Sequence, residues 1–175
     1  MPCLVGEANS GKTSLFAPVL GVIPASRVAR VTKQKSFNKA MIDENTQVIF
    51  IDEATVDLMD IDDWKILCQG GWTAHDRKFS TARGFVNKCP MLITCQKQLQ
   101  FPKDDQAAMQ ARLNVYQFKS LPKNDPKAFE WLKTHPMECI KWAMDHCANT
   151  QDQVATTGYY NTHYIDIEIL IITLS

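Results

Sequence analysis

The 175-residue sequence has no net charge, no internal repeat and no apolar run long enough to cross a membrane. Because 19 basic side chains balance 19 acidic ones, the chain has no general attraction for nucleic acid, and any such binding must come from a local patch. A helix needs about 20 apolar residues to span a bilayer. The apolar end of the chain, "YIDIEILIITLS", is shorter than that. We therefore expect no membrane partner.

The sequence also lacks any C-x-x-C pair. This absence argues against a redox motif of that type or a regular zinc motif. Reduced, mostly buried thiols in an intracellular protein are the expected state of the six cysteines, which are Cys3, Cys68, Cys89, Cys95, Cys139 and Cys147.

What is present is enough apolar sequence, 45% of all residues, to build one compact domain. We expect an ATPase-type core over residues 1–120, a helical segment over residues 121–148 and a loop with an apolar tail over residues 149–175. The composition changes abruptly at that tail, so we expect it not to be native to the domain. The expected core elements are strands at 2–5, 46–55, 89–96 and 111–118, and helices at 12–20, 60–69 and 104–109. A break near Pro18, a cap from Asp60 and a further helix over 125–146 complete this prediction.

The stretch "CLVGEANSGKTSLF" satisfies the pattern G-x-x-x-x-G-K-[ST] in full between Gly6 and Thr13. Glycines in such a loop let backbone N–H groups turn towards phosphate oxygens, the lysine reaches the terminal phosphates and the threonine hydroxyl ligates Mg²⁺. A strand is expected before the loop and a helix after it, which is the context that this motif requires. The expected phosphate contacts are Gly6, Asn9, Ser10, Gly11, Lys12 and Thr13.

A second motif lies forty residues after Lys12, where the apolar run "VIFI" ends in Asp52 and Glu53. Continuous apolarity is typical of a central strand that is buried on both faces. An acid at the end of such a strand holds the Mg²⁺ water shell in phosphate-loop enzymes. An adjacent glutamate can polarise the attacking water. Asp52 is therefore predicted to bind cofactor and metal, and Glu53 to act as the catalytic base of a nucleoside triphosphatase.

Two further polar side chains are candidates for catalysis. Gln96 follows the short apolar strand "CPMLITCQ" and could contact both the γ-phosphate and the attacking water; a simple strand terminus is the alternative. Arg112 follows a predicted helix and opens the next strand. An arginine at such a position can complete a neighbouring subunit's site by stabilising charge on the transferred phosphate, although a surface arginine is the default.

The segment "WTAHDRKFSTARG", from Trp72 to Gly84, is expected to form a hairpin with a polar tip. Positive charge and aromatic rings on one protruding ribbon suit single-stranded nucleic acid, in which phosphates meet the charges and bases stack on the rings. A solvated hairpin is the alternative. The predicted DNA contacts are Arg77, Lys78 and Phe79.

In this order the five signals resemble superfamily 3 helicases, the replicative helicases of small DNA viruses such as papillomaviruses and parvoviruses. The similar stretches are "GEANSGKTSLF", "VIFIDEAT", "LCQGGWTAHDRKFSTA", "KCPMLITCQ" and "ARLNVYQF", which together cover about residues 3–118. The resemblance implies an α/β, AAA+-like three-layer sandwich with a mostly parallel central sheet. It also implies ATP and Mg²⁺ as cofactors, a homo-hexamer around single-stranded DNA in the full-length protein, and action in the nucleus.

The chain departs from the family pattern at three points. Gln96 stands where asparagine is usual, Phe79 stands where the papillomavirus pattern has histidine, and the chain starts one short strand before the phosphate loop. The family's oligomerisation and origin-binding or nicking segments would lie upstream. On the motifs and the resemblance together, the main expectation is an ATP-dependent DNA helicase core. A truncated or degenerate viral remnant that binds nucleotide without unwinding is the alternative, and an ATPase acting on protein or metabolite is a third reading.

Overall fold

A computed structural model describes residues 1–31, 42–75, 83–86, 88–118, 126–141, 145 and 163–164. The described strands are β1 (Pro2–Gly6), β2 (Val28–Val31), β3 (Val48–Ile51), β4 (Trp72–His75), β5 (Arg83–Val86), β6 (Met91–Cys95), β7 (Asn114–Phe118) and β8 (His163–Tyr164). The described helices are α1 (Lys12–Val22), α2 (Ile61–Gln69), α3 (Lys103–Gln110) and α4 (Pro126–Thr134), and a further helical stretch lies at 136–141.

A parallel sheet forms the central layer, with the strand order β2-β3-β6-β1-β7 and the two-residue β8 added beside β7. Neighbouring strands of this sheet are parallel throughout the described pairs. The central strands are apolar on both faces, which is what a sheet covered on both sides requires. The antiparallel pair β4–β5 forms a separate two-stranded ribbon.

Side chains that alternate along the strands divide the core into two parts. Cys3, Ile49 and Ile93 face the side on which α2 and α3 bury Trp64 and Met109. The opposite side packs mainly against α1; its buried residues are Leu4, Phe16, Val48, Phe50, Leu92 and Phe118. Because α4 contacts α1, it lies on this second side. The expected α/β phosphate-loop fold, an AAA+-like three-layer sandwich with a parallel central sheet, is thus confirmed.

Most predicted elements are confirmed to within a few residues, but two local expectations are wrong and one strand was not predicted. Helix α1 does not break near Pro18 but continues to Val22; the proline ring is buried, so packing offsets the hydrogen bond that proline cannot donate. Asp60 occupies the position before α2 without a side-chain capping bond. Strand β2 lies in a basic segment of the chain, where no strand was expected. Among the described residues, no helix combines the length and apolarity needed to cross a bilayer.

We predict that Gly6→Ala lowers the free energy of unfolding, because an added Cβ would lie 2.7 Å from the Phe118 carbonyl oxygen and 2.9 Å from the Phe118 Cβ. Overpacking against backbone typically costs about 1–3 kcal/mol. The matched control is Gly21→Ala, where the added Cβ meets nothing within 4 Å and helix propensity favours alanine by about 0.5 kcal/mol. Urea unfolding measures both variants. Equal stability of the two variants would contradict this account of Gly6.

Candidate active site

The phosphate-loop motif forms the turn between β1 and α1, at the carboxyl edge of the sheet. Asn9 and Gly11 adopt left-handed backbone conformations, with φ of 61° and 86°. Successive turns of this kind point backbone N–H groups into a concave anion-binding surface. Helix α1 begins directly after the loop and adds the positive end of its dipole. The backbone therefore has the shape that the motif predicts for holding phosphate groups.

Lys12 is buried beneath this loop, and its ammonium group is fully occupied. Nζ donates to the carbonyl oxygens of Gly6 at 2.7 Å and Glu7 at 2.5 Å, and to Oγ of Ser10 at 3.1 Å. Burial lowers the pKa of Lys12, while the carboxylates of Asp52 and Glu53 oppose that shift. Lys12, which the motif predicts to bind phosphate, is thus held by hydrogen-bond acceptors of the loop itself.

Asp52 follows β3 and lies against the start of α1, so the two predicted metal-binding side chains are close together. Oγ1 of Thr13 donates to Oδ1 of Asp52 at 3.0 Å, across 39 residues of sequence. A hydroxyl and a carboxylate are hard oxygen donors of the kind that Mg²⁺ prefers, and Mg²⁺ completes its shell with waters and phosphate oxygens. This donor set fits the ion. The described residues contain no cluster of three or more His, Cys, Asp or Glu side chains suited to a metal.

Glu53 and Gln96 lie together beside this pair. Nε2 of Gln96 donates to Oε1 of Glu53 at 3.3 Å, and both residues are exposed. They line a cavity of about 370 Å³ between the turns that follow β3 and β6, so water reaches the carboxylate. Glu53 also adopts a left-handed conformation with φ of 53°, which is uncommon for a residue with a side chain. This conformation directs the chain out of β3 at the site itself.

Thr94, near the end of β6, also belongs to this cluster, although the sequence had not indicated a role for it. Its side chain is only 1% exposed, and its Oγ1 donates to Oδ1 of Asp52 at 2.6 Å. The same oxygen accepts the backbone N–H of Glu53 at 3.1 Å. The only signal available in the sequence was a polar residue inside a short apolar strand, which also fits a strand terminus.

Arg112 stands apart from these residues, at the opposite end of the strands. The terminal amine of Met1 donates to its carbonyl oxygen at 2.7 Å, so Arg112 lies beside the amino end of β1, whereas the phosphate loop follows the carboxyl end. Its guanidinium donates to the Ala108 carbonyl, and Nε lies 3.1 Å from the amide oxygen of Gln69 in the amide orientation that satisfies both groups. Action on a neighbouring subunit's site stays a prediction.

The hairpin is present as the antiparallel pair β4–β5, in which Trp72 pairs with Val86 and His75 with Arg83. The predicted DNA-binding residues Arg77, Lys78 and Phe79 lie outside the described residues. The ribbon follows α2 directly, after a left-handed Gly70 that ends the helix.

Comparisons with known proteins bear on the fold. No protein-family model and no curated protein matches the chain. Known structures share its fold. The apo A-form structure of the NrS-1 C-terminal region superimposes with a TM-score of 0.55 at 13% identity, covering 77% of this chain and 33% of that chain. A second apo structure of this region, residues 305–718, gives a TM-score of 0.54 at 12% identity with the same coverage. The chain therefore spans about a third of the length of these solved chains, and similarity at this level shows the fold alone.

We predict that Asp52→Asn weakens Mg²⁺-dependent nucleotide binding and leaves Mg²⁺-free binding nearly unchanged. Asparagine keeps an oxygen that accepts from Thr13 and Thr94, but it lacks the negative charge that attracts the ion. The expected rise in the Mg²⁺ concentration for half-maximal binding is about tenfold or more. A fluorescent ATP analogue titrated with Mg²⁺ measures it. Asp60→Asn, the same change at an exposed position before α2, is the control. A similar loss in both variants would argue against a metal-side role for Asp52.

Proposed function

We propose that this chain is the ATPase core of a DNA helicase, which hydrolyses Mg²⁺-ATP in order to move along single-stranded DNA. The observation that carries the proposal is the convergence at one edge of the sheet of the phosphate loop, the Thr13–Asp52 pair and the Glu53–Gln96 pair. Residues from three separate parts of the sequence meet there: the loop at 6–13, the acids at 52–53 and Gln96. If Asp52 and Glu53 were only exposed acids at a strand terminus, nothing would require them to lie beside the phosphate loop.

The roles in the proposed reaction follow from these contacts. The backbone N–H groups of the loop and Lys12 bind the phosphates, which places positive charge where negative charge develops. Thr13 and Asp52 would hold Mg²⁺, which supplies charge neutralisation between phosphate oxygens. Glu53 accepts a proton from the attacking water, and Gln96 fixes the orientation of the Glu53 carboxylate. The open cavity beside Glu53 supports access of water to this carboxylate.

The DNA-directed part of the proposal rests on the ribbon and on the family resemblance. The strands β4 and β5 are paired antiparallel, and Arg77, Lys78 and Phe79 belong to the sequence that connects them. Arg112 lies away from its own phosphate loop, which suits a residue that acts on the site of an adjacent subunit in a ring. The proposal therefore includes a homo-hexamer in the full-length protein, with nuclear action as the family implies. The fold shared with the NrS-1 C-terminal region is compatible with it.

We predict that single-stranded DNA stimulates ATP turnover by this chain and that Lys12→Ala lowers the turnover by about 10²–10³-fold, as expected when a charged group on the transferred phosphate is lost. A phosphate-release assay with and without an oligonucleotide measures this. Lys78→Ala is the paired variant: it should keep basal turnover and lose the stimulation, because it changes the proposed DNA contact alone.

Turnover that is the same with and without DNA would overturn the motor function and favour an ATPase acting on another substrate. Nucleotide binding without any turnover would instead favour the alternative of a degenerate helicase remnant that binds nucleotide but does not unwind DNA. Sizing of the chain in ATP tests the ring separately, and we expect weak or no assembly of this chain by itself.

We also predict that Glu53→Gln retains Mg²⁺-ATP binding and loses about 10²–10⁴-fold in turnover, the range for removal of a general base. Glutamine keeps the side-chain length and an oxygen for the Gln96 contact, but it cannot take a proton from water. Single-turnover hydrolysis and binding of a fluorescent ATP analogue separate the two effects. Equal losses of binding and turnover would assign Glu53 a structural role.

A further inference from the structure

Thr94 bonds to both of the acids at the end of β3. Its hydroxyl has one proton and accepts the N–H of Glu53 at 3.1 Å, so its proton points to Oδ1 of Asp52 at 2.6 Å. Its own carbonyl oxygen accepts the N–H of Ala54 at 2.7 Å. One residue of β6 therefore holds three consecutive residues of the turn that follows β3.

These bonds act on a turn that departs from ordinary backbone geometry. The left-handed conformation of Glu53 brings its Cβ close to the following carbonyl, so such a conformation persists only where the surroundings enforce it. The N–H groups on both sides of this strained linkage, those of Glu53 and Ala54, donate to Thr94. The same turn brings the Glu53 carboxylate to Gln96.

Asp52 is held from two directions. Thr13 and Thr94 both donate to Oδ1, which leaves Oδ2 as the oxygen available to the Mg²⁺ water shell. Hydrogen bonds that orient a carboxylate beside a metal alter metal affinity even though their donors do not touch the ion. Because Thr94 is buried, water does not substitute for its hydroxyl.

We propose that Thr94 is a positioning residue that fixes the metal-side carboxylate of Asp52 and the water-activating carboxylate of Glu53 in one arrangement. The inference rests on the proposed ATPase function and extends it to a residue that does not contact nucleotide. If the Thr94 hydroxyl only formed hydrogen bonds needed for folding, its removal would lower stability. It would not change the Mg²⁺ requirement and kcat together. This difference can be measured.

The test compares Thr94→Val, which removes the hydroxyl and keeps the shape, with Thr94→Ser, which keeps the hydroxyl. Thr94→Val should raise the Mg²⁺ concentration for half-maximal nucleotide binding and lower kcat, each by about 10–100-fold. The affinity for Mg²⁺-free nucleotide should not change, because the loop is intact. Thr94→Ser should restore both quantities to within about threefold of the unaltered chain, since it retains the hydrogen bonds.

Thr46→Val is a matched control for folding effects. Thr46 is also buried, and its hydroxyl donates to Oδ1 of Asp43 at 3.2 Å and accepts the N–H of Asp43 at 2.9 Å. This bridge resembles that of Thr94, but it lies before β3 at the other end of the strand. Thr46→Val should lower the melting temperature and leave the Mg²⁺ midpoint and kcat unchanged.

The outcomes separate the two proposals. An unaltered chain that shows no Mg²⁺-dependent binding of an ATP analogue overturns the proposed function, and the role of Thr94 with it. An unaltered chain that binds Mg²⁺-nucleotide, together with a Thr94→Val variant of unchanged Mg²⁺ midpoint, overturns the role of Thr94 alone. The same applies if Thr94→Ser is as impaired as Thr94→Val, or if Thr46→Val shifts the midpoint equally.

Discussion

The parallel register of β3, β6 and β1 is the constraint on which the candidate site depends. Ile93 pairs with Ile51 on one side and with Cys3 on the other, so the residues just beyond β3 come beside the end of β6. Asp52 and Thr94 each follow one member of the Ile51–Ile93 pair, which accounts for their contact. A shift of one residue in this register would turn these side chains to the other face of the sheet. The packing of the core therefore determines the positions of the polar groups.

The sequence predicts the elements of the site whose signals are local. The phosphate loop between Gly6 and Thr13 is a contiguous motif, and the acids Asp52 and Glu53 end an apolar run that fits a buried strand. Their mutual contacts could not be predicted in detail, because 39 residues separate Thr13 from Asp52 and 42 separate Asp52 from Thr94. The role of a buried threonine such as Thr94 can be inferred only when its partners after the neighbouring strand are known.

Strand β2 is absent from the predicted elements because a basic side chain covers an apolar one there. Strand β2 carries Arg30 between the buried residues Ala29 and Val31, and the Arg30 guanidinium lies 5.3 Å from the centre of the Phe50 ring. Such a cation–π contact lets arginine shield apolar surface while its charge stays in water. The basic segment therefore contains an edge strand of the sheet. The continuation of α1 through Pro18 has a similar origin, because tertiary packing overrides a local preference.

The carbonyl oxygens around Lys12 have a consequence for the thermodynamics of ligand exchange. An ammonium group has three protons, and in this chain three acceptors of the phosphate loop already take them. In the proposed function, a phosphate that enters the loop would replace these acceptors and would not replace bulk water. The contribution of Lys12 to binding would then be the difference between two sets of hydrogen bonds, and an alanine at this position would remove both sets at once. The acceptors of the loop would accordingly compete with a phosphate for the hydrogen bonds of Lys12.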